Sequence, residues 1–425
     1  MTRLVVILLT ITALSLGVAW IADEPGRVVV DWGNYHIETS LLVVLAGVAI
    51  TALWCMVIYY VLYVIMFAPR MWLRSRLARQ QQMGLEALTA AFAAIATQDT
   101  RSARRQIARA QQYLPHQPLT LMLASQVARL DGNEGQSRIY LEQMLKAEST
   151  EFMALRGLIE NARRAHDDDA AIRHAEKALA LKPQDSWLVT VLIGLYTKKQ
   201  RTDDALRLIE TAARKRVISK PEQKLFTAGV YYEYAKPLME QRRFDLAIPA
   251  LTRALRYQPG LSAASALLAE SYLAERNISQ ALKVIHTAWK TVPHPLLTQA
   301  LLKCFEFNDA HKKIIRMAEK MARMHPNNPE TRFLLAGIAL KKDSPDIARN
   351  EITSLIATHE TVRACTTLAQ IENASGDSTK SAYWMKRSLS SAPDPDFTCG
   401  NCHQPSEDWH LTCPHCGSVG TTVWK

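Results

Sequence analysis

The sequence predicts an all-α protein in three parts: two transmembrane helices, a superhelix of repeated helix pairs, and a small cysteine knuckle at the C-terminus. Three observations carry this prediction. Two long apolar runs lie within the first 70 residues, small residues recur with a 34-residue period over most of the rest, and two Cys-x-x-Cys pairs stand close to the end. Past the apolar runs the chain is rich in Ala, Leu, Lys, Arg and Glu and poor in Gly, a mix that favours helix over strand.

The anchor comes first. Residues 4–21 form an uncharged apolar run of 18 residues, and residues 41–67 a run of 27. At about 1.5 Å per residue the first just crosses a hydrocarbon core of about 30 Å and the second exceeds it. The first run also has the length of a signal peptide. Val18-Ala19-Trp20-Ile21-Ala22 lacks a clean small-x-small cleavage pattern, so both runs are expected to be retained. The loop 22–40 carries Asp23, Glu24, Asp31 and Glu38 against Arg27, whereas Arg70, Arg74, Arg76 and Arg79 follow the second run. Positive charge stays on the cytoplasmic side, which puts the loop outside and everything after Phe67 inside. In the loop, Pro25-Gly26 signals a turn, and Val28 to Val30 form either a brief strand or an interfacial segment. The anchor is expected to occupy residues 1–79.

The net charge is +11, from 51 basic and 40 acidic residues, which calls for an acidic partner. The four arginines beside the second run sit where anionic lipid headgroups lie. No zinc-finger helix, RNA-recognition signature or aromatic-basic strand is present, so no nucleic acid is expected. Cys55, Cys304 and Cys365 stand alone in apolar helical contexts and read as small packing residues.

Residues 80–394 show a repeat. Ala103, Ser137, Ala171 and Ala205 are each 34 apart; the series resumes at Ala247, Ala281, Ile314 or Ile315, Ala348 and Ala382. Many are followed seven residues later by another small residue (Ala110, Ala178, Ala212, Ala254, Ala288) and twelve later by proline (Pro115, Pro183, Pro259, Pro293, Pro326). This is the period of the tetratricopeptide helix pair. Small residues let two antiparallel helices cross closely, and proline ends the second helix. Asp169, Asp203, Asp245 and Asp346 are expected to cap the second helices, which also assigns the His166–Asp169 run to a turn rather than a metal site. One interval is 42 residues instead of 34, around 215–237, and predicts a longer first helix or a helical excursion. Tyr231, Tyr232 and Tyr234 within it are placed either on the inner groove or against the next repeat. Arrays of this kind use their groove to bind peptides and partner proteins.

Residues 395–425 hold Cys399, Cys402, Cys413 and Cys416. Two Cys-x-x-Cys pairs ten residues apart supply four thiolates, the closed shell of a structural Zn²⁺ site. Iron in a rubredoxin-like site satisfies the same ligand set. Gly417 permits the tight turn after the second pair, while His403 stands where the first would prefer Gly. His403, His410 and His415 are not needed as ligands. Trp409 and Trp424 are expected to cover the knuckle as an apolar lid.

The two N-terminal runs, the stretch Asp31 to Leu45 (DWGNYHIETSLLVVL) and the repeat array together resemble the HemY family of proteobacterial inner-membrane proteins. The resemblance covers roughly residues 1–395. It implies a multi-pass inner-membrane protein, with array and C-terminus cytoplasmic, that organises proteins of haem biosynthesis without being a catalyst. A flavin-dependent enzyme shares that family's name, but this chain has no G-x-G-x-x-G after a strand. The C-terminal knuckle is similar to that of the LapB family, which implies the alternative of a regulator of lipopolysaccharide synthesis recruiting partner enzymes or a protease. That family has one span and lacks the Trp32–Ser40 stretch. No H-E-x-x-H, G-x-S-x-G or phosphate-binding loop is present, and no enzyme is expected.

Overall fold

The computed structural model describes residues 12, 16, 26–33, 35–306 and 311–425, with the backbone path alone for 27, 30–32, 35–38, 42, 64–77 and 306. Apart from Thr12 and Leu16, the predicted first span lies outside the described residues, as do the side chains of Arg70, Arg74 and Arg76. The chain divides into two compact units, Met1–Asp131 and Gly132–Lys425.

In the first unit the segment before the second apolar run is a β-hairpin. Strand β1 (Arg27–Trp32) pairs antiparallel with β2 (Tyr35–Ser40), from Arg27 opposite Ser40 to Trp32 opposite Tyr35. Gly33 turns the chain at φ 64°, the left-handed conformation that tight hairpin turns require. The Leu41 N–H donates to the Gly26 carbonyl at 2.9 Å and ties the hairpin to the next helix.

That helix, α1 (Leu41–Ala96), runs 56 residues, about 84 Å. Its stretch Val43–Tyr63 has a mean hydropathy of 2.1, and none of it is buried by the protein. Among the described residues it is the one helix long and apolar enough to cross a membrane. Farther along, Ala87, Leu88, Ala91 and Ala94 are buried. There α1 packs against α2 (Thr100–Tyr113), whose Ala103, Ile107 and Ala110 are also buried, followed by α3 (Pro118–Leu130). One continuous helix therefore serves as apolar segment, stalk and first repeat helix. From Tyr63 to Ala87 it covers about 36 Å.

The second unit is a stack of helix pairs. The second helices of the pairs are α4 (Glu134–Met144), α6 (Asp168–Leu181), α8 (Thr202–Arg214), α10 (Phe244–Tyr257), α12 (Ile278–Thr291), α14 (His311–Met324), α16 (Pro345–Ile356) and α18 (Ser378–Ser388). Between them run the first helices α5 (Glu148–Arg164), α7 (Ser186–Lys198), α9 (Lys220–Glu240), α11 (Ser262–Ala274), α13 (Pro295–Lys303), α15 (Pro329–Lys341) and α17 (Val362–Ala374). Ser137, Ala171, Ala205, Ala247, Ala281, Ile314 and Ala348 have essentially no exposed surface, as crossing points of close-packed helices should. Ala382 is exposed, because α18 is the last helix among the described residues. Pro183, Pro259, Pro293 and Pro326 each stand two residues past the end of a second helix.

The irregular interval is a longer first helix. α9 has 21 residues, against 13 in α7 and in α11, and the two added turns absorb the eight extra residues. The capping expectation is corrected. Asp169, Asp203, Asp245 and Asp346 lie inside the first turns; α6 is capped by Asp167, which accepts from the Ala170 N–H at 2.9 Å. Helix starts shift by a residue or two with local geometry that spacing does not encode. The four carboxylates still lie at the positive end of the helix dipole. Asp169 also pairs with Lys199 at 2.9 Å, and Asp346 with Arg349.

Polar contacts join equivalent positions of successive repeats. The Trp289 indole donates to the Met321 carbonyl at 3.1 Å. Buried Glu330 accepts from Thr298 at 2.7 Å and from the Arg363 guanidinium at 2.6 and 3.0 Å. The largest apolar cluster spans residues 155–268 and also contains Phe397, Trp409, Leu411 and Val419, which come from the far C-terminus.

Candidate metal centre

After α18 the chain forms a three-stranded ribbon, β4 (Pro405–Ser406), β3 (Phe397–Cys399) and β5 (Thr422–Trp424), with β3 in the middle and both pairings antiparallel. Two knuckles project from it. In the first, the His403 N–H donates to the Cys399 carbonyl at 2.9 Å; in the second, the Gly417 N–H donates to the Cys413 carbonyl at 2.9 Å. Both positions are left-handed, with φ 57° at His403 and 68° at Gly417. Gly417 accepts this freely, whereas His403 carries a Cβ in a conformation disfavoured for it.

The knuckles bring Cys399, Cys402, Cys413 and Cys416 together, all four sulfurs within 4.8 Å of one another. Cys399 Sγ lies 3.7 Å from Cys416 Sγ, and Cys402 Sγ lies 3.8 Å from Cys413 Sγ. A tetrahedron with metal–sulfur bonds of about 2.3 Å has edges of about 3.8 Å. The donor set therefore fits a tetrahedral thiolate-bound metal. The sulfurs are too crowded to ionise together without a cation. Burial opposes ionisation of Cys399, but the Ser418 and Thr421 hydroxyls, each 3.3 Å away, outweigh it and lower its thiol to about 5. At Cys402 the Gln404 N–H favours the thiolate, while burial and the neighbouring thiols push it up to about 12. A divalent cation removes this conflict by neutralising the thiolates.

The ribbon is not a free appendage. It lies on the face made by the first helices α5, α7 and α9. Leu411 is fully buried over Gly229, where a Cβ would come 2.6 Å from its Cδ1 and 3.0 Å from Trp409 Cη2. Val419 and Thr412 cover Gly194, where a Cβ would meet Val419 Cγ2 at 2.7 Å. Glycine in a helix interior costs about 1 kcal/mol relative to alanine. Here the absent side chains are the seats for the ribbon. Polar contacts fix its register: Leu411 N–H to Glu233 at 3.0 Å, Arg163 to the Gly417 carbonyl at 3.0 Å, and Lys236 to Asp408 at 3.4 Å. Gly420 rests on Leu225 and Phe226 of α9. Aligned on the ends of the first helices, these two residues belong to the two extra turns.

The predicted tryptophan lid is corrected. Trp409 is buried edge-on against Tyr232, with ring centroids 5.4 Å apart. The Trp424 ring meets Phe397 edge-on at 4.8 Å and His294 at a tilt at 4.2 Å. Trp409 faces the array, because the ribbon is too small to bury an indole by itself, whereas Trp424 stays 37% exposed. Of the three tyrosines, Tyr232 supports the ribbon. Tyr231 and Tyr234 line a separate cavity of about 590 Å³ with Arg201, Arg207 and Arg253.

His294, Gly194 and Gly229 escape sequence reasoning. The glycines did leave a signal, each interrupting an otherwise apolar helical window. His294 left none. It is buried at the start of α13, its Nδ1 accepts from the Leu296 N–H at 3.2 Å, and burial lowers its pKa to about 4, with Arg363 adding to the effect.

Residues 26–132 match the family model described as HemY protein N-terminus, and residues 238–304 match the tetratricopeptide repeat. The first match ends one residue past the first compact unit. A probable magnetosome protein, Mms48, of Magnetospirillum gryphiswaldense is 24% identical over 99% of this chain and 93% of its own length. A solved structure of Naa15/Naa10 bound to HypK-THB aligns with 73% of this chain at 14% identity and a TM-score of 0.43; this chain spans only 58% of its length. YrrB, a tetratricopeptide protein with an unusual peptide-binding site, aligns with 46% of this chain and 95% of its own at 16% identity and a TM-score of 0.31. The chain thus carries a HemY-type N-terminus with an apolar helix, tetratricopeptide repeats, and a four-cysteine centre able to hold a metal.

Proposed function

We propose that this protein is a non-catalytic scaffold or regulator of haem (porphyrin) biosynthesis at the bacterial inner membrane, and that its array docks partner proteins of that pathway. The observation that carries this is the HemY N-terminal match, which runs through hairpin, apolar helix and first repeat helices. In this proposal residues 1–79 are the anchor, 80–394 the docking array and 395–425 the metal knuckle. Residues 4–21 form a second span, the hairpin faces outward, and array and knuckle are cytoplasmic, following the asymmetry of arginine. Arg70, Arg74, Arg76 and Arg79 contact anionic lipid at the base of the stalk.

The metal is Zn²⁺ bound by Cys399, Cys402, Cys413 and Cys416, with iron the alternative in the same ligand set. Four thiolates complete a tetrahedral shell and leave no position for a substrate, which fits a structural centre. Elemental analysis of the purified protein distinguishes zinc from iron, and Cys399→Ser with Cys416→Ser should abolish the metal content.

The test of the pathway is deletion of the gene followed by porphyrin analysis, with accumulation of intermediates expected. The docked four-cysteine ribbon favours a second reading, the LapB-like regulator of lipopolysaccharide synthesis. Normal porphyrins with altered lipopolysaccharide in the deletion strain would establish that reading and overturn the first.

A further inference from the structure

We propose that the metal ribbon is a removable plug on a binding face of the array, and that the partner taking its place is a short segment with the pattern acidic, aromatic, any residue, aliphatic. This rests on the scaffold function proposed above. The template is the ribbon's own segment Asp408-Trp409-His410-Leu411. Asp408 meets Lys236, Trp409 packs on Tyr232, the Leu411 N–H is held by Glu233, and the Leu411 side chain sits on Gly229. Each contact is one that a foreign peptide following the same backbone path makes equally well: an ion pair, an aromatic edge, a backbone hydrogen bond and an aliphatic side chain on a helix glycine.

The ribbon is built to depend on its metal. Its strands comprise three, two and three residues. The buried apolar residues Phe397, Trp409, Leu411 and Val419 all join the array's cluster. Beyond backbone bonds such as Gly400 N–H to the Thr421 carbonyl at 2.8 Å, a shared ion would be the link between Cys399–Cys402 and Cys413–Cys416, and small sites of this type fold with the metal and unfold without it. The array has its own clusters beyond the ribbon, at residues 266–338 and 333–371. Losing the ribbon exposes one face and leaves those clusters in place.

The experiment is amide hydrogen exchange on the full-length detergent-solubilised protein, metal-loaded and after chelation, with the Cys399→Ser/Cys416→Ser protein in parallel. Exchange should rise at least tenfold in residues 397–424 and in α7 and α9, with residues 329–374 unchanged. A synthetic peptide of residues 405–412 should then bind the metal-free protein at least tenfold more tightly than the loaded one, and Gly229→Leu should abolish binding. Equal protection with and without metal would overturn the plug. Exchange rising throughout the array would overturn it too, since the ribbon would then be a clasp for the whole fold. Local opening without peptide binding would overturn the assigned partner chemistry. None of these readouts depends on porphyrin levels, so failure here and failure of the pathway assignment are distinguishable.

Discussion

The contact between Leu411 and Gly229 can be tested by a double-mutant cycle in which the double variant should be less destabilised than the sum of the two single changes. Gly229 lies inside α9, where alanine is favoured over glycine by about 0.8–1.0 kcal/mol on helix propensity alone. In the native protein the added methyl would come 2.6 Å from Leu411 Cδ1 and 3.0 Å from Trp409 Cη2, both on buried side chains. Overpacking of this kind costs about 1–3 kcal/mol, so Gly229→Ala should be neutral or destabilising by up to about 2 kcal/mol. Leu411→Ala empties a fully buried site and should cost about 2–5 kcal/mol. In the double variant the methyl enters the space the leucine vacated, the clash with Leu411 disappears while the 3.0 Å approach to Trp409 remains, and the propensity gain remains. The coupling should therefore reach about 1–3 kcal/mol in the direction of rescue. Opening free energies of α9 amides, measured by hydrogen exchange, report it locally and avoid assuming two-state unfolding of a repeat array. Additivity of the two changes within about 0.5 kcal/mol would refute the seating of the ribbon on α9.

His403→Gly should relieve the left-handed strain at φ 57° and tighten metal binding roughly fivefold, about 1 kcal/mol, as read by chelator competition. His294 supplies a pH prediction. Burial holds its folded pKa near 4, below the ordinary 6.5, so the unfolded chain takes up the proton first. The stability it contributes is intact above pH 6.5 and falls as pH drops through 4, by roughly 3 kcal/mol in all. Because His294 stacks on Phe397 and packs against Trp424, the ribbon should loosen first, and His294→Gln should flatten the pH dependence of exchange in residues 397–424. Glu330→Gln should cost about 1–3 kcal/mol, since it removes the buried charge that Arg363 and Thr298 share, and exchange should rise in α13, α15 and α17.

Much of the architecture was legible because it is written in local chemistry. The 34-residue spacing of small residues follows from helix pairs that must cross closely, and all of those residues but the terminal Ala382 are buried in the stack. The eight-residue excess is the two extra turns of α9. The cysteine pairs announced a four-sulfur centre, and their sulfurs converge to tetrahedral spacing. Charge alone separated the acidic loop from the arginine-rich segment. Helix starts were less legible: the capping aspartates fell a residue or two inside the first turns, a shift that depends on local backbone geometry.

What only the tertiary structure decided is where the knuckle goes. Nothing in the pattern Cys-x-x-Cys states that Trp409 and Leu411 turn away from the sulfurs and into helices more than 170 residues earlier. That outcome follows from size. A ribbon of 31 residues cannot bury Trp409 and Leu411 by itself, and the row of first helices offers glycine seats and apolar side chains that can. The metal site was determined locally by the spacing of four cysteines. Its placement on the array was determined by complementary shape between segments far apart in the chain.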